Sequence, residues 1–207
     1  MAILRDIGMS SLAAPCFRLL MSASRLFDYA KQRTIARRSL PVDERGISTL
    51  HFVDLGSPTL DVIELSAAGI VRVVKQIQEE SFHEESQVVQ GFRLGHYGRG
   101  EQFVASWNTI KLELWVGVGS RQSLQIWDLA SAKRKADVMT GCAAGITCMD
   151  NESMRGNVSL LGFNDGTVAL FDVRQQSRHC VARWPKGHSE TVLSCCLTAS
   201  QEIASIG

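Results

Sequence analysis

The residues of this chain that could carry chemistry are histidines and cysteines that follow one another closely in its last segment. His179 and Cys180, and then His188 with Cys195 and Cys196, are side-chain types that bind zinc. Their spacing matches no structural zinc pattern, and neighbouring cysteines on a strand point to opposite faces of the sheet. We therefore predict that these thiols belong to the core and that the chain holds no metal.

Two glycine-rich segments begin like nucleotide-binding motifs but do not complete them. Gly117-Val118-Gly119 follows an apolar strand pattern, yet the third glycine and the helix of a dinucleotide fingerprint are missing. Residues 95–100 lack the Gly-Lys-Ser/Thr ending of a phosphate loop. We interpret the first segment as a hairpin turn and the second as a loop. The sequence also lacks a nucleophile motif and a residue in the context of a general base. We therefore predict no catalytic residue, no enzymatic activity and no cofactor.

The composition describes a globular chain with almost no charge imbalance. Of its 207 residues, 45% are hydrophobic, and the formal net charge is +1. This balance gives no bulk attraction to nucleic acid or to an anionic membrane. We interpret the cluster of Arg33, Arg37 and Arg38 as a solvated strand face, because no stacking aromatics accompany it. We therefore expect protein partners and no nucleic acid.

Neither the apolar N-terminal stretch nor the cysteines indicate a secreted or membrane protein. Residues 10–21 are interrupted by Pro15 and Arg18, and they are too few to span a bilayer. No C-x-x-C pair occurs, and several cysteines occupy apolar strand positions. We predict reduced thiols in a cytoplasmic protein with no direct membrane insertion. The six cysteines are Cys16, Cys142, Cys148, Cys180, Cys195 and Cys196.

A repeated hairpin must position these residues, and residues 160–174 are its best-formed copy. Asn164-Asp165-Gly166 supplies a tight turn, because glycine accepts a positive φ and Asn and Asp accept it better than most residues. Similar runs occur at 123–129, at 69–75 and, more weakly, at 24–29. The copies end at Asp28, Lys75, Asp128 and Asp172, which are 47, 53 and 44 residues apart.

This period predicts an all-β WD-repeat β-propeller, in which each blade is a four-stranded sheet. The longest spacing contains an insertion, the acidic loop 76–86. Because the last blade stops after its second strand, we expect an incomplete propeller and a fragment of a longer protein or a truncated gene model. In the third blade, strands are predicted at 103–107, 112–116, 124–129 and 136–140. Residues 1–16 are unassigned, and the propeller at 17–207 has blades at about 17–40, 46–94, 101–140, 145–184 and 190–207.

The residues that mark the repeat are structural candidates. In WD-repeat proteins a Gly-His pair, a strand Ser or Thr, a turn Asp and the Trp of Trp-Asp often share a buried hydrogen-bond network. Here the third blade has Trp127 without a well-placed turn Asp, and the fourth has Asp165 but Phe171 in place of Trp. We expect packing to carry more of the stability. The structural signature comprises Trp127, Asp128, Asp165, Gly166, Phe171, Asp172 and His188.

Several runs together resemble the C-terminal propeller of the Raptor family, the regulatory-associated proteins of the TOR kinase. Residues 69–75 are similar to one blade of that propeller, including Lys75 in place of the usual aspartate. Residues 104–107 and 124–128 are similar to the next blade. The resemblance extends from about residue 19 to the end of the chain. The runs that carry it most clearly are 136–141, 145–147, 162–174 and 188–193.

The resemblance implies a non-catalytic scaffold or adaptor in TOR signalling. Members of the family have an N-terminal caspase-like domain, helical repeats and a seven-bladed propeller. They bind the TOR kinase within TOR complex 1, present substrates to it, and help to place the complex on the lysosomal or vacuolar surface in response to amino acids. The implied partners are therefore the TOR kinase and other complex components. The substrate groove is associated with the N-terminal parts of the family, so no substrate-binding residue transfers to this chain.

The residues leave one alternative function open. An unrelated WD-repeat interaction module, such as a ubiquitin-ligase substrate receptor, has the same kind of blades. It predicts a different upstream neighbour, for example an F-box or a long coiled coil. The sequence does not indicate which face binds a partner, because propellers use loops, blade edges and the central channel.

Overall fold

The computed structural model describes residues 23–28, 33–39, 47–53, 60–77, 87–97, 101–119, 122–152, 155–175, 180–198 and 202–207. Within these ranges the regular structure is all-β, and no helix long and apolar enough to cross a membrane occurs among them. The unassigned segment 1–16, most of the acidic loop and His179 lie outside the described residues.

The described residues form five antiparallel sheets in which consecutive strands of the chain pair with one another. The first sheet contains β1 (Ala23–Asp28) and β2 (Arg33–Ser39). The second contains β3 (Ile47–Val53), β4 (Leu60–Ser66), β5 (Ile70–Ile77) and β6 (Gln87–Arg93). The third contains β7 (Phe103–Asn108), β8 (Glu113–Val118), β9 (Ser123–Asp128) and β10 (Lys133–Met139). The fourth contains β11 (Ile146–Asn151), β12 (Val158–Phe163), β13 (Val168–Asp172) and β14 (Cys180–Trp184), and the fifth contains β15 (Ser194–Leu197) and β16 (Ile203–Ile206).

The first strands of successive sheets lie side by side. Strand β3 contacts β7, β7 contacts β11, and β11 contacts β15. Each sheet from the second to the fourth is a four-stranded meander that starts at this inner row and ends at an outer strand. This arrangement is an incomplete β-propeller, so the predicted fold class is confirmed.

A separate apolar core fills each junction between neighbouring sheets from the second to the fifth. The outer strands β10 and β14 are mostly exposed, whereas the central strands are buried on both faces. Representative core residues are Ile63, Val71, Leu114 and Trp127 between the second and third sheets, Trp115, Ile126, Leu161 and Phe171 between the third and fourth, and Leu160, Val168, Val192 and Leu197 between the fourth and fifth.

Strand β8 contributes to two cores at once, because successive side chains on a strand point to opposite faces. Leu114 and Val116 enter the core shared with the second sheet, whereas Trp115 enters the core shared with the fourth. All three side chains are fully buried. A strand buried on both faces is apolar at consecutive positions, which explains the unbroken apolar run at this place in the sequence.

Gly117 belongs to β8 and not to a turn, which corrects the hairpin-turn interpretation of Gly117-Val118-Gly119. The turn begins only at Gly119, after the end of the strand. A Cβ atom on Gly117 would lie 2.9 Å from Ile146 Cδ1 of the fourth sheet. The glycine therefore permits close packing of two sheets.

Several other strand boundaries in the third sheet differ from the prediction, and two of them have a local cause. Strand β8 begins at Glu113, because Leu112 has a φ of 55° and closes the turn after β7. Lys111 N–H donates a hydrogen bond to Asn108 Oδ1 in that turn at 3.1 Å. Strand β10 begins at Lys133, before the predicted residue 136, because its first half is exposed and polar and carries no hydrophobic signal.

We predict that Leu161→Ala lowers the free energy of unfolding by about 2–5 kcal/mol, because it removes a fully buried side chain from the core between the third and fourth sheets. Chemical denaturation of the complete protein measures the change. Leu193 is 71% exposed, and the matched variant Leu193→Ala should change stability by less than about 0.5 kcal/mol. Equal losses in both variants would contradict the placement of Leu161.

Candidate functional site

The signature residues occupy separate places in the fold rather than one site. They lie in the third and fourth sheets and in the segment that leads to the fifth, and each group of them makes its own polar or apolar contacts. The positions are the end of β9 (Trp127, Asp128), the turn between β12 and β13 (Asp165, Gly166), the end of β13 (Phe171, Asp172) and the segment before β15 (His188).

A glutamine on the same strand holds the indole of Trp127. Trp127 Nε1 donates to Gln125 Oε1 at 3.1 Å, and the Tyr97 hydroxyl donates to the same oxygen at 3.3 Å. Gln125 is fully buried and points to the same face of β9 as Trp127. Phe92 stacks on the indole with ring centroids 5.3 Å apart. The network therefore ties the end of the second sheet to the third.

Gln125 and Tyr97 are structural residues that the comparison with WD repeats missed. A typical repeat would place a Ser or Thr and a His in such a network. Here a longer amide and a phenol make the contacts, and His96, beside Tyr97, is exposed. The available signal was a polar residue on the buried face of a strand, since a buried amide requires a partner.

A second buried polar cluster surrounds Glu113 at the start of β8. Trp115 Nε1 donates to Glu113 Oε2 at 3.2 Å, and Lys135 Nζ on β10 lies 3.0 Å from Glu113 Oε1. The hydrogen bond with Glu113 raises the pKa of Lys135. Lys135 also lies 3.7 Å from Asp128 Oδ2. The Glu113 carboxylate is therefore shared by the Trp115 indole and the Lys135 ammonium group.

Asp128 stabilises the turn that follows the Trp-Asp pair. Its Oδ1 accepts a hydrogen bond from the backbone N–H of Ser131 at 3.0 Å. This bond is the main reason that the pKa of Asp128 lies below its usual value. The carboxylate thus stabilises the β9–β10 hairpin.

Gly166 lets the turn of the fourth sheet touch the segment that leads to the fifth. Its φ is 80°, and its carbonyl oxygen accepts a hydrogen bond from His188 N–H at 3.1 Å. A Cβ atom at this position would lie only 2.1 Å from the His188 carbonyl oxygen. Asp165 Oδ1 accepts from Thr167 N–H at 3.0 Å and closes the turn locally.

The His188 side chain reaches forward into the fifth sheet. His188 Nε2 lies 2.8 Å from Ser205 Oγ on β16. The histidine and the serine of a WD-type network are therefore in contact here, while Asp165 bonds within its own turn. His188 connects two sheets through its backbone on one side and its ring on the other.

Phe171 packs in the core and Asp172 accepts hydrogen bonds, which are the two roles of a Trp-Asp pair. Phe171 is fully buried in the core between the third and fourth sheets. Asp172 is buried as well, and its Oδ1 accepts hydrogen bonds from the backbone N–H and from Nε of Arg174, at 3.0 and 2.9 Å. The hydrogen bonds of the Arg174 side chain hold the pKa of Asp172 below its usual value.

The cysteines are distributed over two junctions between sheets. The prediction that Cys195 and Cys196 point to opposite faces is confirmed, because the first is buried and the second is exposed. The prediction that these thiols belong to the core is therefore wrong for Cys196. Within the described ranges, all five cysteines are free, and no group of three or more His, Cys, Asp or Glu side chains is placed to hold a metal.

Comparison with known proteins provides sequence relatives that agree with this fold. The Protein raptor homolog of Dictyostelium discoideum is 31% identical over 77 residues, which are 37% of this chain and 5% of that protein. The Target of rapamycin complex 1 subunit KOG1 of Saccharomyces cerevisiae is 20% identical over 176 residues, which cover 80% of this chain and 11% of that protein. No protein-family model matches the chain.

The crystal structure of Chaetomium thermophilum Raptor matches this chain with a TM-score of 0.77 at 19% identity. The match covers 89% of this chain and 17% of the Raptor chain. The chain is Raptor-like in its sequence and in its fold. The sequence-based resemblance to the Raptor family is thereby confirmed. The Chaetomium thermophilum Polycomb Repressive Complex 2 contains a chain with a TM-score of 0.63 and 13% identity, covering 92% of this chain and 40% of its own. At these identities the structural likenesses report the fold alone.

We predict that Gln125→Met lowers the free energy of unfolding by about 1–3 kcal/mol, because the indole N–H of Trp127 and the Tyr97 hydroxyl lose their shared buried acceptor. Adding Trp127→Phe should cost less than the sum of the two single losses, since no unpaired indole N–H remains. Denaturant unfolding of the parent, both single variants and the double variant measures the coupling. Strictly additive losses would count against the hydrogen bond.

The contribution of the Asp172–Arg174 pair should disappear in acid. Because the pKa of Asp172 is lowered in the folded state, its carboxylate stabilises the fold above the unfolded pKa of about 3.9, and this stability is lost as the pH falls through the folded pKa. Arg174→Ala should lower the free energy of unfolding slightly at neutral pH, since the Arg174 side chain is 55% exposed, and much less at about pH 2.

Unfolding of the Arg174→Ala variant at the two pH values, beside the parent, measures this difference. The exposed Arg155 provides a matched control, and Arg155→Ala should show no such pH dependence. A cost of Arg174→Ala that stays the same or grows in acid would refute the assignment.

Proposed function

We propose that this chain belongs to a non-catalytic scaffold or adaptor subunit of TOR complex 1 and acts through protein–protein interaction. The observation that supports the proposal best is the match to a Raptor homologue and to a subunit of target of rapamycin complex 1, on a chain whose fold is similar to that of Raptor. The chain spans 5% and 11% of the lengths of these two relatives, so the function of the whole protein is part of the proposal.

The architecture supports a role as a rigid platform. Apolar cores join each described sheet from the second to the fifth to its neighbour, and the indoles of Trp127 and Trp115 have acceptors in Gln125 and Glu113 inside the fold. The outer strands expose apolar side chains, among them Met139 on β10 and Val181 and Trp184 on β14. Contiguous exposed apolar patches mark surfaces that contact other proteins, and the proposed contact surface includes these side chains.

The proposal includes the partners and the location. The TOR kinase and the other components of TOR complex 1 are the proposed partners, and the proposed role is nutrient-responsive growth control. The protein would act in the cytoplasm and be recruited to the lysosomal or vacuolar surface. No residue of this chain is proposed to take part in catalysis.

Affinity purification of the full-length protein, expressed at its native level, tests the proposal. We expect the TOR kinase to be recovered in amounts comparable to the bait when the complex is quantified by mass spectrometry. Depletion of the protein should also reduce phosphorylation of TOR substrates several-fold. A different propeller protein of similar abundance from the same cells, purified in parallel, controls for non-specific recovery.

A folded bait that recovers no TOR kinase would refute membership of the complex. Recovery of ubiquitin-ligase subunits in its place would favour the alternative of a substrate receptor. If depletion left TOR substrate phosphorylation unchanged although the kinase were bound, the scaffold role would be refuted while membership remained.

A further inference from the structure

Two thiols meet at the junction between the fourth and fifth sheets. Cys148 lies on β11 and Cys195 on β15, the inner strands that run side by side. Both side chains belong to the apolar cluster that Leu160, Val192 and Leu197 form between these sheets. The pair therefore bridges two sheets that are otherwise joined by packing and a few hydrogen bonds.

The two sulfur atoms lie close to backbone carbonyl oxygens, and Cys148 Sγ also lies against a glycine. Cys148 Sγ lies 3.8 Å from the Val192 carbonyl oxygen, and Cys195 Sγ lies 3.6 Å from the Leu160 carbonyl oxygen. A Cβ atom on Gly162 would lie 2.5 Å from Cys148 Sγ. The glycine thus provides the volume in which the thiol sits.

The two thiols differ in the way that a redox pair requires. Cys148 is half-buried. Cys195 is buried, and the neighbouring Cys148 thiol, burial and the nearby Asp150 carboxylate raise its pKa. A more accessible thiol that ionises more easily, beside a protonated partner, is the arrangement found in redox-sensing cysteine pairs.

We propose that Cys148 and Cys195 form a redox-active pair that hydrogen peroxide oxidises to a reversible disulfide between β11 and β15. The Cys148 thiolate attacks one peroxide oxygen, the O–O bond breaks, and the departing hydroxide takes up a proton to give water and a sulfenic acid. The Cys195 sulfur then attacks the Cys148 sulfur, the S–O bond breaks, and the hydroxide leaves with the Cys195 proton as a second water. Two thiols are oxidised and one peroxide is reduced.

The disulfide would fasten the fifth sheet to the fourth. In the described part of the junction, polar contacts between β11 and the fifth sheet or the segment before it include the Thr147 hydroxyl with the Val192 carbonyl at 2.6 Å and the Leu197 N–H with Asp150 Oδ2 at 2.8 Å. A covalent link beside these contacts restricts separation of the sheets. Amide hydrogen exchange in β15 and β16 should slow by roughly tenfold or more on oxidation.

The other described cysteines serve as internal controls. Cys142 and Cys180 lie near each other at the junction between the third and fourth sheets, but burial raises the pKa of Cys142. Cys196 is exposed, yet partial burial and Asp150 raise its pKa. Cys142 and Cys196 are therefore expected to react more slowly with peroxide than Cys148 does.

Disulfide mapping of the full-length protein tests the proposal. The tryptic peptide 136–155 contains both Cys142 and Cys148, and the peptide that begins at Gly187 contains both Cys195 and Cys196. The double variant Cys142→Ser/Cys196→Ser therefore leaves one cysteine in each. After brief treatment with hydrogen peroxide and quenching with N-ethylmaleimide, we expect a cross-linked pair of these peptides, two hydrogens lighter than their sum, that dithiothreitol separates. In wild-type protein, fragment spectra should place the bond at Cys148 and Cys195, which covers the case that the variant folds poorly.

Two further variants test the order of events. Cys195→Ser should leave a sulfenic acid on Cys148 that dimedone traps, whereas Cys148→Ser should leave Cys195 as a thiol under the same treatment. The proposal is overturned if both peptides are recovered as separate alkylated thiols from folded protein. It is also overturned if the bond forms mainly through Cys142 or Cys196, or if dimedone labels Cys195 in place of Cys148.

Discussion

The structure depends on one constraint, which is that a central strand buried on both faces needs an apolar partner on each side. Strand β8 shows it most directly, since Leu114 faces the second sheet and Trp115 faces the fourth. No single sheet can satisfy this requirement, so the sheets stack in series. Close approach at individual points then matters, and Gly117 and Gly162 have space only for a hydrogen where Ile146 and Cys148 press against them.

The buried indole N–H groups of Trp127 and Trp115 are tolerated inside these cores because each has an acceptor within the fold. The third sheet lacks the usual hydrogen-bond network of a WD repeat. In its place, Gln125 accepts hydrogen bonds from Trp127 and Tyr97. Glu113 similarly accepts from Trp115 and pairs with Lys135. A blade can therefore lose its usual histidine and aspartate and still satisfy a buried indole, provided that another acceptor lies on the same face.

The junction between the fourth and fifth sheets differs from the other two. Among the described residues it has fewer fully buried apolar side chains than either of the others, and its contacts include the His188–Ser205 hydrogen bond. A junction held by fewer apolar contacts opens more readily. A reversible covalent bond changes such a junction more than it would change a large core, and for a scaffold the position of neighbouring sheets determines which surfaces its partners meet.

The sequence by itself determined the repeat, the class of fold and the family resemblance, because a hairpin with a glycine turn and a buried apolar run is written locally in consecutive residues. The start of strand β10 was predicted wrongly, because exposed outer strands carry no hydrophobic signal. The left-handed turn residue Leu112 was also predicted wrongly, as the first residue of strand β8. Only the tertiary structure decided which buried polar groups are partners, that Gly117 packs against another sheet, and that Cys148 meets Cys195. The contacts of Gly117 and of Cys148 join residues from different sheets, so they depend on how the sheets stack rather than on spacing along the chain. The Gln125–Trp127 and Glu113–Trp115 bonds join residues two apart on one strand, and only the structure shows that these side chains pair.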